Sequence, residues 1–266
     1  AAQTPRPSER AHRQAIRPAR MGLLRVSAWL GAVVVAATLI MATVFDGRPR
    51  MVWPPPGFLV DDLPDLSGKV AMVTGANVGI GLATATELAR KGCTVYVTAR
   101  TTAKAAATKK AIVKELGPSA DELIKVLPVG LELGSLKSVA AFAKAFNDEK
   151  VPLNILVNNA GIMTTPFGLT EDGLEQQWGV NHIGHFALTM RLMPAIEKGQ
   201  PARIVSVTSL GHNFAVNGIR FDNMTDESLY DPTEAYGQSK LSNILFAREL
   251  ARRVEGKKIY VNSAHP

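Results

Sequence analysis

The sequence has a single cysteine, Cys93, so no internal disulfide can form and a disulfide-stapled scaffold is excluded. The redox compartment stays open. Cys93 begins the apolar run CTVYVTA (93–99), where a small buried hydrophobe is the ordinary reading and a reactive thiol the sharper one. Acid is scarce at one end of the chain. The first 25 residues carry six arginines (Arg6, Arg10, Arg13, Arg17, Arg20, Arg25) against one carboxylate, Glu9, and from Met51 onward the charges nearly balance. The net charge of +7 therefore belongs to a flank rather than to a binding face. No nucleic-acid-reading motif accompanies it, so no nucleic-acid partner is expected. Internal repeats are absent. His182, His185 and His212 follow no metal-ligand spacing and have no carboxylate cluster beside them, so no metal is expected either.

Charge is also missing from residues 26–45, VSAWLGAVVVAATLIMATVF. At about 1.5 Å rise per residue, such a run in a helix spans roughly the 30 Å hydrocarbon core of a bilayer. A buried soluble helix is the competing reading, weakened because the run lies outside the domain that follows. A cleaved signal peptide would need a small-x-small site after the run, which is not evident. The sequence predicts a single-pass anchor in the endoplasmic reticulum or another organelle membrane, between a basic flank (1–25) and a proline-rich linker (46–65). Orientation stays open. The arginines favour a cytosolic N-terminus, but MGLLRVSAWLG at Met21 reads as a natural start, and without residues 1–20 the bias disappears. Residues 1–20 also read as an arginine-rich, acid-poor targeting peptide.

From Lys69 short apolar runs alternate with helical patterns: KVAMVT (69–74), TVYVTA (94–99), LIKVLPV (123–129), LNILVN (153–158), RIVSVT (203–208) and KIYVNSA (258–264). Nearly continuous apolar runs suit strands covered on both faces. Between them, IGLATATELARKG (80–92) predicts a helix with Gly92 as its C-cap, and TTAKAAATKKAIVKEL (101–116) a solvated helix. The pattern predicts an α/β domain over 66–266 with a doubly wound parallel sheet of Rossmann type. Trp178 and Phe186 are expected in its core.

The first strand runs into TGANVGIG, with Thr74, Gly75, Asn77, Gly79, Ile80 and Gly81. Gly75 permits a sharp turn, Gly79 a close backbone approach to a pyrophosphate, and Gly81 tight packing of the new helix. The helix N-terminus offers free N–H groups to an anion. Glycines alone also make structural turns; their place between strand and helix favours a cofactor loop. An NAD site usually has an acid about 20 residues after the glycines. That place here reads Ala99-Arg100, with Lys104 nearby. No carboxylate repels a 2′-phosphate and a guanidinium is placed to bind one, so NADP(H) is the expected cofactor.

Hydride transfer to a carbonyl carbon leaves charge on its oxygen, and a proton donor must meet it. A free phenol ionises near pH 10, and a nearby ammonium favours its phenolate. In EAYGQSK (234–240) the i, i+4 spacing sets Lys240 beside Tyr236 on one helix face. Ser209, just after a strand at the edge where open α/β sheets bind ligands, offers a hydroxyl to the developing oxyanion. Each residue also has an ordinary reading. Tyr236 could sit at an interface, Ser209 could cap a helix, Asn181 could make a turn and Lys240 could be solvated. Their joint occurrence behind a nucleotide loop is what favours the chemical reading.

TGANVGIG, NNAG (158–161), NHIGHF (181–186), VTS (207–209) and YGQSK (236–240) occur in the order found in short-chain dehydrogenases/reductases, and the likeness runs from about residue 66 to the end. GVNHIGHFALT, IRFDN and YGQSKLSNILFAREL resemble the retinol-dehydrogenase-like branch, which is also similar to the light-dependent protochlorophyllide reductases. The resemblance implies that Asn158, Ala160 and Gly161 border the cofactor and steady the central strand. It implies that Glu132, where an aspartate is usual, lies near the adenine, and that Asn181 holds a relay water. Ser209 would orient the substrate oxygen, Tyr236 would act as acid/base, and Lys240 would bind the ribose. It also implies that a specificity segment follows VNSAHP, leaving the last strand as an open sheet edge. The expected function is a membrane-anchored NADP(H)-dependent oxidoreductase of a lipophilic carbonyl or alcohol, with a homodimer as a further expectation. A protochlorophyllide-reductase-like enzyme and a non-catalytic NADP-binding membrane adaptor are the alternatives.

Overall fold

The computed structural model describes residues 60–221 and 224–266. The expected anchor (26–45) and most of the proline-rich linker lie outside them. Among the described residues no helix is long and apolar enough to cross a membrane.

Six described strands form one parallel sheet: β1 (Val70–Val73), β2 (Thr94–Val97), β3 (Ile124–Lys125), β4 (Ile155–Asn158), β5 (Ala202–Val207) and β6 (Ile259–Ala264). Their order is β3-β2-β1-β4-β5-β6. The helices are α1 (Gly79–Arg90), α2 (Thr102–Leu116), α3 (Leu136–Asp148), the single turn α4 (Gln176–Trp178), α5 (Gly184–Lys198) and α6 (Pro232–Arg253). Strand alternation splits the apolar residues between two layers. Ala71, Val73, Val95, Ile155 and Val157 pack with Ala85 and Leu88 of α1 and Ile112 of α2. Met72, Leu156 and Ile204 pack with Phe146 of α3, Leu192 of α5 and Leu250 of α6. Both faces are therefore dry, which is why each strand reads as an unbroken apolar run. The strand order reverses between β1 and β4, and a crevice outside their carboxyl ends is where doubly wound sheets place ligands.

Four details differ from the sequence reading. The third strand is only Ile124–Lys125 rather than 123–129. It is a sheet edge paired to β2 alone, and Pro128 has no N–H for a ladder. The chain rejoins its neighbour through the Leu131 N–H to Ala99 O. Phe186 is exposed on α5 rather than in the core, and Trp178 is partly buried. Leu63, inside the expected linker, is buried with Leu66 against α1, so the packed domain starts earlier. Gly92 lies one residue beyond the α1 C-cap, Lys91, with φ +83, and donates to Ala89 O. Cys93 behaves as the buried hydrophobe, and burial pushes its thiol up to about 12.

Candidate active site

The turn out of β1 needs glycine twice. Gly75 has φ +63 and Gly79 φ +57, the left-handed region. A Cβ on Gly79 would meet nothing within 4 Å, so its backbone faces open space. A Cβ on Gly81 would lie 2.4 Å from Asn159 Nδ2 and from Gly75 O, so that glycine seats α1 against the strand ends. The N-cap of α1, Val78, makes no side-chain cap, and the first turn holds no acid. By contrast Thr101, Ser135 and Asp231 cap α2, α3 and α6 with their own side chains. The leading N–H groups of α1 are thus left to a partner, and the helix dipole makes an anion the favoured one.

Thr74 joins this loop to the end of β4. Its Oγ1 accepts the N–H groups of Asn159 (2.8 Å) and Ala160 (2.9 Å), and Asn159 Nδ2 donates to Thr74 O (2.8 Å). Asn158 reaches the other way and donates to Thr189 Oγ1 on α5. His185 Nε2 lies 2.8 Å from Thr74 Oγ1, and its Nδ1 lies 3.0 Å from Asn181 O. Burial holds the His185 imidazole down at about 4, so the ring is neutral.

Asn181 sits in a π-turn, Gly179–Ile183, between α4 and α5. Such widened turns recur at functional sites because they displace the helix ladder. The Asn181 side chain is fully engaged: Oδ1 accepts the Ile162 N–H, and Nδ2 donates to Ile162 O and Ser239 Oγ. Its main-chain carbonyl accepts from His185 Nδ1, and the residue is wholly buried. Lys240 is 4% exposed; its Nζ donates to Val207 O at 3.1 Å and lies 5.6 Å from the Tyr236 ring centroid. Burial pushes the Lys240 ammonium down to about 8. Ser209 caps the 3-10 turn Leu210–Phe214, accepting the Gly211 N–H at 3.0 Å. It is a cap, as the ordinary reading had it, and it also stands beside the tyrosine.

Two glycines show how tightly these residues converge. A Cβ on Gly161 would lie 3.2 Å from Asn181 Oδ1 and 3.5 Å from Lys240 Nζ. A Cβ on Gly211 would lie 2.8 Å from Tyr236 Cε1 and 3.3 Å from Ser209 Oγ. The fold therefore brings Asn181 to Lys240 and Ser209 to Tyr236, each pair across one bare α-carbon. Arg100 is exposed beyond β2, directly before the α2 cap, with Gly130 packed on its backbone. Glu132 turns its carboxylate to the Gly134 N–H. Asn77 and Ile80 flank the open turn at Gly79. A separate small pocket beside Trp178, Arg220, Tyr230, Ala235 and Gln238 opens on another face of α6 from Tyr236 and Lys240. Asn159, Ser239 and Gln177 were not singled out in the sequence, and His185 was weighed there only as a metal ligand. Asn159, Ser239 and His185 lay inside the motifs, His185 four residues after Asn181, one helical turn on.

The short chain dehydrogenase family profile matches residues 69–221, and the chain belongs to that family. Its similarity falls in the retinol-dehydrogenase-like branch. It is 45% identical to human retinol dehydrogenase 11 over 201 residues, 76% of this chain and 61% of that protein. It is 42% identical to the chloroplastic short-chain dehydrogenase TIC 32 B of Brassica napus over 210 residues, 76% of this chain and 64% of that one. The chain thus spans about three fifths of the length of these curated relatives. Among solved structures, an uncharacterised protein from Mycobacterium Paratuberculosis superposes with a TM-score of 0.65 at 39% identity, covering 78% of this chain and 71% of that one. The RhlG/NADP active-site complex of Pseudomonas aeruginosa gives 0.59 at 27%, covering 76% and 72%.

Proposed function

We propose that this chain forms the cofactor-binding and catalytic part of an NADP(H)-dependent oxidoreductase that interconverts a carbonyl and an alcohol on a lipophilic substrate. The observation that carries it is the convergence of Asn181 with Lys240 and of Ser209 with Tyr236 across Gly161 and Gly211. The open turn at Gly79 and the uncapped N-terminus of α1 suit a dinucleotide pyrophosphate. Thr74, Gly75, Asn77, Gly79, Ile80, Gly81, Asn158, Ala160 and Gly161 would border the cofactor. Glu132 would lie near its adenine and Lys240 would hold its ribose. Arg100 would bind a 2′-phosphate. When bound, the nicotinamide would supply or accept the hydride.

In reduction, Ser209 Oγ would donate a hydrogen bond to the carbonyl oxygen, and Tyr236 Oη would pass it the proton. Lys240, while charged, favours the phenolate that remains. Asn181, joined to Ser239 beside Tyr236, would belong to the path that reprotonates Tyr236. Met163 after β4 and Leu210, Phe214 and Val216 after β5 are exposed at the same sheet edge. They suit an apolar substrate, as does the likeness to proteins named retinol dehydrogenases. Residues 26–45 would hold the enzyme at a membrane. Phe186 and Met190 on α5 and Leu245 on α6 form an exposed apolar stripe suited to a second copy of the chain.

The test is turnover by the protein in membranes, with NADPH or NADH and a panel of retinoid, steroid and fatty aldehydes, followed by nicotinamide absorbance. Reduction of an apolar aldehyde with preference for NADPH is expected. Cofactor binding without turnover of any carbonyl would leave the adaptor reading in its place.

A further inference from the structure

Gln177 is wholly buried, and none of the steps above uses it. It lies four residues before Asn181. Its Oε1 accepts the Thr164 N–H at 2.7 Å. Its Nε2 donates to Tyr230 Oη at 2.8 Å and to Pro232 O at 2.9 Å. Tyr230 Oη donates in turn to Thr165 O at 2.8 Å, closing a ring of hydrogen bonds. Thr164 has φ +52, a left-handed conformation that a β-branched residue rarely adopts, so something must hold it there.

Pro232 is the first residue of α6. In an α-helix the carbonyl of residue i accepts the N–H of residue i+4, so Pro232 O is also the acceptor for the Tyr236 N–H. One carbonyl oxygen is therefore shared by the Gln177 amide and the Tyr236 backbone. On the other side, Tyr236 O accepts from Ser239 Oγ at 2.7 Å, which itself accepts from Asn181 Nδ2 at 2.9 Å. Both backbone polar groups of Tyr236 are thus tied to the helical segment that carries Gln177 and Asn181.

We propose that Gln177 is a positioning residue that fixes Tyr236 relative to Asn181 and locks the Ile162–Thr165 loop against the start of α6. The inference rests on the oxidoreductase reading above. A small misplacement of a reacting group is costly in rate while leaving binding almost untouched. A merely structural glutamine would instead lower stability and cofactor binding together.

The test compares Gln177→Met, which removes all three contacts at similar volume, with Tyr230→Phe, which removes one hydroxyl and leaves the Pro232 contact. In the full chain, melting temperature, NADPH Kd by fluorescence titration, and kcat and KM for an aldehyde the wild type reduces are measured. For Gln177→Met, kcat should fall about 10- to 100-fold while KM and the NADPH Kd change by no more than about twofold. Tyr230→Phe should shift kcat the same way by less. Unchanged kcat in a folded Gln177→Met, or equal losses in kcat and cofactor affinity, would overturn the inference. If Gln177→Met does not fold, Tyr230→Phe decides alone, and wild-type kcat there overturns it. Absence of turnover in the wild type would count against the oxidoreductase reading instead. A crystal structure of the variant would then read the inference directly, as Tyr236 displaced from Asn181 or unmoved.

Discussion

His185 Nε2 lies 2.8 Å from Thr74 Oγ1 and its Nδ1 3.0 Å from Asn181 O, and the two contacts together fix the hydrogen positions of the network. The Asn181 carbonyl can only accept, so in the neutral ring Nδ1 carries the proton and Nε2 takes the Thr74 hydroxyl proton, which has Val157 O only at 3.4 Å as its alternative. Nε2 is then the acceptor and Nδ1–H donates to Asn181 O. The end of β1, the end of β4 and the π-turn are joined through one neutral ring. Replacing Thr74 by Val keeps the shape but leaves two N–H groups and an imidazole nitrogen without partners. It should cost about 3–9 kcal/mol, from roughly 1–3 kcal/mol for each of the three groups left unpaired, and fall toward the lower end because the two N–H groups, of Asn159 and Ala160, are only part-buried. Chemical denaturation of the two proteins checks this.

The same ring should make stability depend on pH. His185 takes up a proton at about 4 in the folded chain against 6.5 for the ordinary group, because it is buried with Lys240 and His182 nearby. Between those values the unfolded chain holds the proton and the folded chain does not. Its contribution is complete above about pH 6.5 and falls by about 1.4 kcal/mol per pH unit as pH drops toward 4. Carboxylates titrate in the same window, so the readout is a difference. His185→Gln should lose less stability than the wild type between pH 7 and 4.5 in matched denaturant melts.

Gly211 has no room for a methyl group. A Cβ there would stand 2.8 Å from the Tyr236 ring, against 3.2 Å from Asn181 Oδ1 at Gly161. Gly211→Ala should therefore displace the phenol and lower kcat by about 10- to 100-fold, with Gly161→Ala milder. NADPH affinity in Gly211→Ala should stay near wild type, since that glycine borders Tyr236 and not the glycine loop. Steady-state kinetics with parallel cofactor titration measures both.

Arg100 stands exposed where an acid would select against a 2′-phosphate. Arg100→Ala should weaken NADPH binding by about 10- to 100-fold, the range for one charge-assisted hydrogen-bond donor, and leave NADH binding nearly unchanged. Calorimetric titration of both nucleotides separates the two.

Much of this was legible in the chain. The six strands showed because burial on both faces makes each an unbroken apolar run, and five of them fall close to their expected places. The third was overread because LIKVLPV stays apolar after the sheet contact ends; its later residues pack without pairing. Phe186 was misplaced because an apolar residue on a helix shows that it is apolar, not which face the fold leaves bare. The convergence of Tyr236, Lys240, Ser209 and Asn181 was legible through their order and spacing. Gln177, Ser239 and His185 did not show such roles, because their partners lie as much as 111 residues away, and the side chain alone carries no mark of them.

The central claim is that Tyr236 gives the substrate oxygen its proton. Tyr236→Phe removes one hydroxyl from a ring whose surroundings are otherwise unchanged. In membranes, with NADPH and an aldehyde the wild type reduces, kcat should fall by about 10²- to 10⁴-fold, the usual contribution of a positioned general acid, while the NADPH Kd holds. Turnover within a few-fold of wild type at the same cofactor affinity would contradict it.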